Sequence, residues 1–430
     1  MNYKTFRIAA RYDAELVARI TAWAGAHPYA FALDSAGFAG AEYDLIAGVA
    51  RSPLLQSKAG QAFEALRRAY NRHSGYWLFG FLAYDLKNEL EDLHSAQHDG
   101  IDLPDLGFIC ADTVVRMRRS EIEIFSAYAD PEDLWNEIMA AAPPTPAPTS
   151  PPLVLRPRLS KSEYLEALRR IREHIVEGDV YELNFCMEFF AEEVSIDPVE
   201  TFCTLKRGPF GAFVRWGDRY ALCASPERFL KKNGQKLVSQ PIKGTRPRGP
   251  DPKADEAIRA ELAANEKDRA ENVMIVDLVR NDLARNCLPG SVRTEELFGI
   301  YTFPRVHQMI STVSGIIRPD AHPIEALRDA FPMGSMTGAP KIRAMQLIEQ
   351  YEKSRRGLFS GAIGYISPEG DFDFNVVIRS LLYNATNAYL SLHAGGAIVY
   401  DSDPHQEYEE ALLKARSALP GDPARFVLCV

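Results

Sequence analysis

Cysteine is scarce and unpaired in this sequence: six residues, at 110, 186, 203, 223, 287 and 429, show no CxxC spacing. That pattern excludes a zinc-ribbon arrangement and a disulfide framework, and predicts buried, reduced thiols in a cytoplasmic protein. Basic residues are outnumbered, 49 Lys and Arg against 58 Asp and Glu, for a net charge of −9. A nucleic-acid surface requires the opposite excess, so no nucleic-acid partner is expected and an anionic ligand needs locally placed cations. No apolar run approaches the length of a bilayer span, so no membrane association is expected. The first twenty residues, MNYKTFRIAARYDAELVARI, lack the apolar segment and cleavage site of a secretory leader. Internal repeats are absent too.

What is present is a 430-residue chain, 46% hydrophobic and 25% charged, the composition of a soluble globular protein with a large core. The proline-rich stretch over 141–152 reads as an extended linker or surface loop between an N-terminal part, 1–140, and the remainder, 153–430. Residues 76–84 and the alternating 121–125 read as strands. Ser160 and Glu163 have capping-box spacing ahead of Leu165, Leu168, Ile171 and Ile175 at helical intervals, and Gly178-Asp179 ends that helix. Strands are expected from about 180 to 242, then one long helix over roughly 254–285 that neither Gly nor Pro interrupts. Further strands fall at 361–366 and 374–382, and a last helix starts near His405. This mixed order predicts an α+β architecture.

Several clusters carry chemistry. Lys243 lies in QPIKGTRPRG, between a strand end and a Gly-Thr turn, with Arg246 and Arg248 close behind. Asp268 and Glu271 share one face of the long helix, and Glu407, Glu410 and Lys414 repeat that spacing on the last helix. By spacing alone these are solvated faces as readily as hard oxygen ligands for Mg²⁺. GSMTGAPK, from Gly334 to Lys341, departs from a phosphate loop, because Ala339-Pro340 separates the second glycine from Lys341; a turn into a helix near Pro340 fits better. Gly395-Gly396-Ala397 follows a strand and permits either close backbone approach or a bulge. Arg379, in an apolar strand, needs a carboxylate from the protein or from a ligand. His307, taken alone, reads as a satisfied core histidine.

Taken in order, SPERF (225–229), PIKGTRPRG, KDRAENVMIVDLVRNDLAR (267–285), VHQMISTVSG, FPMGSMTGAPKIRAM, GAIGY, VVIRS and HAGGAIVYDSDPHQEYEEALLKA (393–415) resemble the chorismate-utilising enzymes. That family includes anthranilate, aminodeoxychorismate, isochorismate and salicylate synthases. Its fold implies one α+β sandwich of two large antiparallel sheets face to face with helices outside, the proline-rich stretch being a loop across the body. Lys243 between Pro-Ile and Gly-Thr, and the GSMTGAPK loop, resemble the aminodeoxychorismate branch; the anthranilate branch carries alanine at the lysine position. Glu182 stands where isochorismate synthases place a water-activating lysine, which disfavours water as nucleophile.

The resemblance implies amination of chorismate at C4, toward 4-aminobenzoate and folate, with anthranilate synthesis or a non-catalytic regulatory role as alternatives. It assigns Lys243 as nucleophile, Glu227 as general acid, and His307, Thr337 and Lys414 to the active site. Gly244, Thr245, Arg379, Gly395, Gly396 and Ala397 match substrate-binding positions. Glu271 and Glu410 match Mg²⁺ ligands, supported by Glu407 and Asp268. A glutamine amidotransferase partner supplying ammonia is implied, and Ser35 and Pro209 match a tryptophan pocket. Phe359 replaces the tyrosine or tryptophan usual at one substrate contact. For Lys243 to attack, its ordinary pKa of ~10.4 is expected to fall through burial beside Arg246 or Mg²⁺.

Overall fold

The structure, a computed structural model, describes residues 3–38, 40–144, 152–421 and 425–429. Most of the proline-rich stretch, 145–151, lies outside the described residues.

Two large sheets organise the chain. The first has thirteen strands among the described residues. Its main path runs Lys4–Ala9, Glu121–Ser126, Thr113–Arg118, Leu45–Ala50, Tyr29–Asp34, Phe210–Trp216, Arg219–Ser225, Ser380–Asn384, Tyr389–Ile398, Glu182–Ala191, Leu153–Pro157 and Phe426–Leu428, and Gly338–Ala339 joins Glu182–Ala191 off that path. The second has ten, ordered Ile242–Pro247, Val306–Ile316, Lys236–Gln240, Arg228–Asn233, Phe372–Asn375, Ala362–Ile366, Leu78–Leu82, Leu106–Cys110 and Leu55–Ser57, with Arg293–Thr302 paired to Val306–Ile316. Among the described strands only Phe426–Leu428 pairs in parallel, with Leu153–Pro157.

Alternation along the strands builds two cores, because successive side chains leave opposite faces. Phe31, Ala212, Val214 and Trp216 of the first sheet meet Phe79, Phe81, Phe108 and Phe374 of the second. Their neighbours Ala30, Ala32 and Phe213 face the other way, toward helices that contribute Leu16, Ile20, Trp23, Tyr164, Leu168, Tyr408 and Leu412. A strand buried on both faces needs apolar residues throughout, and LIAGVA at 45–50 is buried at every position. The expected sandwich with helices outside is what the chain forms.

Three local expectations change. The helix over 254–285 is two helices, Pro252–Ala264 and Glu266–Ala284, separated by Asn265 in an extended conformation. No Gly or Pro marks the break; the Asn265 side chain accepts from the Asp268 amide and caps the second helix. The strand expected over 374–382 is also two: Phe372–Asn375 pairs in the ten-stranded sheet and Ser380–Asn384 in the thirteen-stranded one. Arg379, at the crossing, adopts a left-handed φ of 52°. Among the cysteines, Cys429 is exposed instead of buried.

Candidate active site

Lys243 reaches the interior because its strand is irregular. Between Ile242 and Thr245 the register against Val306–Ile316 shifts, and Gly244 takes φ +83°. A Cβ at Gly244 would lie 2.9 Å from both Asp268 Cγ and Leu262 Cδ1, so only glycine lets the strand meet the Asn265-capped helix this closely. The Lys243 side chain is left 9% exposed.

Its ammonium donates to Glu182 Oε1 at 2.6 Å and lies 3.7 Å from Glu271 Oε2. Glu182 is 1% exposed, and its other oxygen is buried without a partner. Burial pulls the Lys243 pKa down, but the charges of Glu182 and Glu271 outweigh burial and hold it above the ordinary lysine value. The expected depression by Arg246 is overturned: that guanidinium turns to Glu261 and Asp268, at 2.9 and 2.8 Å. The same carboxylates that secure the amine therefore keep it charged.

Opposite the amine, Glu227 is buried, and burial pushes its carboxyl up to about 7 despite the Ser335 hydroxyl, the Lys243 charge, the Ile242 amide and Arg379. Ser335 Oγ donates to Glu227 Oε1 at 2.8 Å. Arg379 makes no ion pair within the structure's described residues, and its pKa is lowered by burial against the opposing charge of Glu227. A half-buried guanidinium with no carboxylate of its own has the chemistry to pair with an anionic ligand.

The acidic groups lie on two facing helices. Glu271 is on Glu266–Ala284, and Glu407 and Glu410 are on Pro404–Ser417. Lys267 Nζ bridges them, 4.0 Å from Glu271 and 3.4 Å from Glu407. Lys414 pairs with Glu410 at 2.7 Å and donates to the Gly395 carbonyl at 3.0 Å. Ser402 donates to Glu407 at 2.7 Å. Gly396 opens onto this group, since a Cβ there would come within 3.4 Å of Glu407 and Lys414 and 3.8 Å of Glu410. Gly395 is glycine for packing, as its Cβ would fall 1.9 Å from the Phe185 carbonyl. The register of that strand against 183–191 runs unbroken, so the glycines mark close approach and not a bulge; Ala397 pairs with Asn184.

Other sequence-assigned residues are engaged elsewhere. His307 has both ring nitrogens occupied, by Thr302 Oγ1 and Asp255 Oδ1, each at 2.9 Å. Thr337 is buried, with its hydroxyl donating to the Met333 and Gly334 carbonyls of its own loop. The Thr245 hydroxyl accepts from the Gln308 side-chain amide at 3.5 Å. Asp268 is taken by Arg246. Phe359 is buried and stacks on His393, centroids 4.9 Å apart. Ser35 and Pro209 line a common cleft with Leu33, Phe210, Tyr365 and Asp373.

The family described as chorismate binding enzyme matches residues 29–420. The chain belongs to the chorismate-binding enzymes. This enzyme is similar to the aminodeoxychorismate synthase component 1 of Klebsiella aerogenes, 39% identical over 345 residues, 79% of this chain and 76% of that protein. The protein of the same name from Escherichia coli strain K12 is 37% identical over 346 residues, 79% and 75% of the two chains. Among solved structures, anthranilate synthase component I from Streptococcus pneumoniae TIGR4 superposes with a TM-score of 0.70 at 24% identity, covering 97% of this chain and 92% of that one. The menaquinone-specific isochorismate synthase of Escherichia coli gives 0.72 at 17% identity, covering 97% and 95%. Those two likenesses establish the fold.

In this chorismate-binding enzyme the fold thus gathers Lys243 with Glu271, and the acidic residues of the last helix with Lys414 and Gly396. Sequence reasoning weighed Glu182 without its pairing to Lys243, and missed Ser335 and Lys267 altogether. Only the position of Ser335 within GSMTGAPK offered a signal, and a serine in a Gly-rich turn reads first as turn chemistry.

Proposed function

We propose that the enzyme converts chorismate and ammonia to 4-amino-4-deoxychorismate, for 4-aminobenzoate and folate synthesis. The observation that carries this reading is the buried Lys243 amine, held at 2.6 Å by Glu182. Glu182 is placed to take the lysine proton. The Lys243 nitrogen then bonds to C2 of chorismate as the ring double bond shifts and the C4–O bond breaks. The departing hydroxyl leaves as water, with a proton from Glu227. Ammonia next bonds to C4, the double bond shifts back, and the C2–N bond breaks to return Lys243. Arg379, Gly396 and Ala397, with Gly244, Thr245 and Gly395, line the place for chorismate and its carboxylates.

Glu271, Glu407 and Glu410 offer hard carboxylate oxygens suited to Mg²⁺, with Asp268 in support. The ammonium of Lys267 between the two helices supports a seat for positive charge there. Bound there, Mg²⁺ supplies charge neutralisation for a substrate carboxylate. His307, held by Asp255, and Thr337, within its loop, support the shape of the site. The ammonia comes from a separate glutamine amidotransferase subunit, and the Ser35–Pro209 cleft is the place for tryptophan.

Purified enzyme given chorismate, Mg²⁺ and ammonium is expected to yield 4-amino-4-deoxychorismate by chromatography, and Lys243→Ala to lose that product. Anthranilate with pyruvate as the main product, or an unchanged Lys243→Ala enzyme, overturns the reading.

A further inference from the structure

Ser335 has no part in the assignments above, yet it is the side chain that donates to the Glu227 carboxyl, and both residues are buried. The short turn Gly334–Met336 that carries it is pinned on each side. Asn184 Nδ2 donates to the Ser335 carbonyl at 3.0 Å, and the Asn184 amide donates to the Thr337 carbonyl at 2.8 Å. Arg356 donates to the Met336 carbonyl at 2.6 Å and to the Asn184 carbonyl at 2.8 Å. That arginine is itself fixed by both oxygens of Glu352, at 2.9 and 2.6 Å. A neutral carboxyl accepts most readily through its carbonyl oxygen, which leaves its proton on the other. A hydroxyl locked at Oε1 by this framework therefore selects one rotamer and one protonation site of Glu227.

We infer that Ser335 is a positioning residue for Glu227, fixing the carboxyl so that its transferable proton sits on Oε2. The inference rests on Glu227 acting as the acid in the reaction proposed above. The charged groups that also act on this carboxyl are Lys243, just before Gly244 on the irregular strand Ile242–Pro247, and Arg379, at the crossing between the sheets. Both stay in place when Ser335 is changed.

The test compares wild type, Ser335→Ala and Ser335→Thr, following chorismate consumption so that the readout does not depend on which product forms. Ser335→Ala is expected to lower kcat roughly tenfold with KM for chorismate unchanged, because one hydrogen bond to an acid is lost. Its alkaline limb is expected to move to higher pH, since the lost donor stabilised the carboxylate. Ser335→Thr is expected to restore both, and Ser335→Ala to have no further effect in a Glu227→Gln background. The Glu227 carboxyl band, assigned in infrared spectra by its loss in Glu227→Gln, is expected to titrate at higher pH in Ser335→Ala even without turnover. Should Ser335→Ala fail to fold, Ser335→Cys, of similar volume and weaker donor strength, serves the same comparison. An unmoved limb and band, or a kcat loss matched by a KM rise, overturns the inference. A wild type that makes another product overturns only the proposed function.

Discussion

Lys243 and Glu182 form a pair whose cost of separation exceeds that of joint removal. Each is nearly fully buried, so removing one partner leaves an uncompensated charge. Glu182→Gln or Lys243→Met alone is expected to destabilise by about 3 kcal/mol in urea unfolding at pH 7, and the double variant to recover part of that loss. Additive losses would show that the pair is not coupled. The sign is set by the raised Lys243 pKa: the contribution is complete below the unfolded lysine value and fades as pH rises through the folded one. Glu227 has the same sign in a lower pH window. Its carboxyl, near 7 in the fold, binds a proton more tightly than in the unfolded chain, so its part in stability falls as pH rises from roughly 4.5 to 7. As a donor it acts only when protonated, so turnover is expected to decline above about pH 7, and Glu227→Gln to lose on the order of 10²-fold in kcat together with that limb. A profile with the same limb in Glu227→Gln would assign it to another group. The motif around Lys243 was readable because the residues are contiguous; its charge state was not, because Glu182 is distant in the chain and comes from another sheet.

At the scale of elements, breaks without breakers govern the site. Asn265 ends one helix and begins the next, turning the face that carries Asp268 and Glu271 toward the Gly244 bulge. Asn265→Ala removes the cap and is expected to cost about 1 kcal/mol by thermal or urea unfolding, with chorismate KM raised as Glu271 shifts. Unchanged stability would show that the helix-strand contact, and not the cap, sets the break. Periodicity fails here because apolar spacing continues through the cap; only the side-chain bond to the Asp268 amide marks the interruption. Arg379 belongs to the same class, since alternation cannot tell one long strand from two that change sheets. By contrast, the Ser160–Glu163 capping box forms as its spacing predicts, because that signal is local.

Across the molecule, strands from both sides of residues 145–151 are interleaved in each sheet. Tyr29–Asp34 lies against Phe210–Trp216, and Leu78–Leu82 against Ala362–Ile366. We propose that the parts before and after the proline-rich stretch form one folding unit. Cleavage at a protease site engineered into 145–151 is expected to leave two fragments that co-elute and melt in a single transition, whereas the 1–140 fragment alone stays unfolded. Separate transitions would assign independent domains. No helix among the described residues is long and apolar enough to cross a membrane.

The α+β class, the lysine motif and the carboxylate pairs were determined by sequence alone, because each rests on residues within one or two turns of one another or on contiguous motifs. Tertiary structure decided the partner of Lys243, the turning away of Arg246, the Ser335 bond to Glu227 and the bridge of Lys267 across two helices. Those contacts join residues tens to hundreds of positions apart, and electrostatic energy depends on separation in space, which no local pattern records.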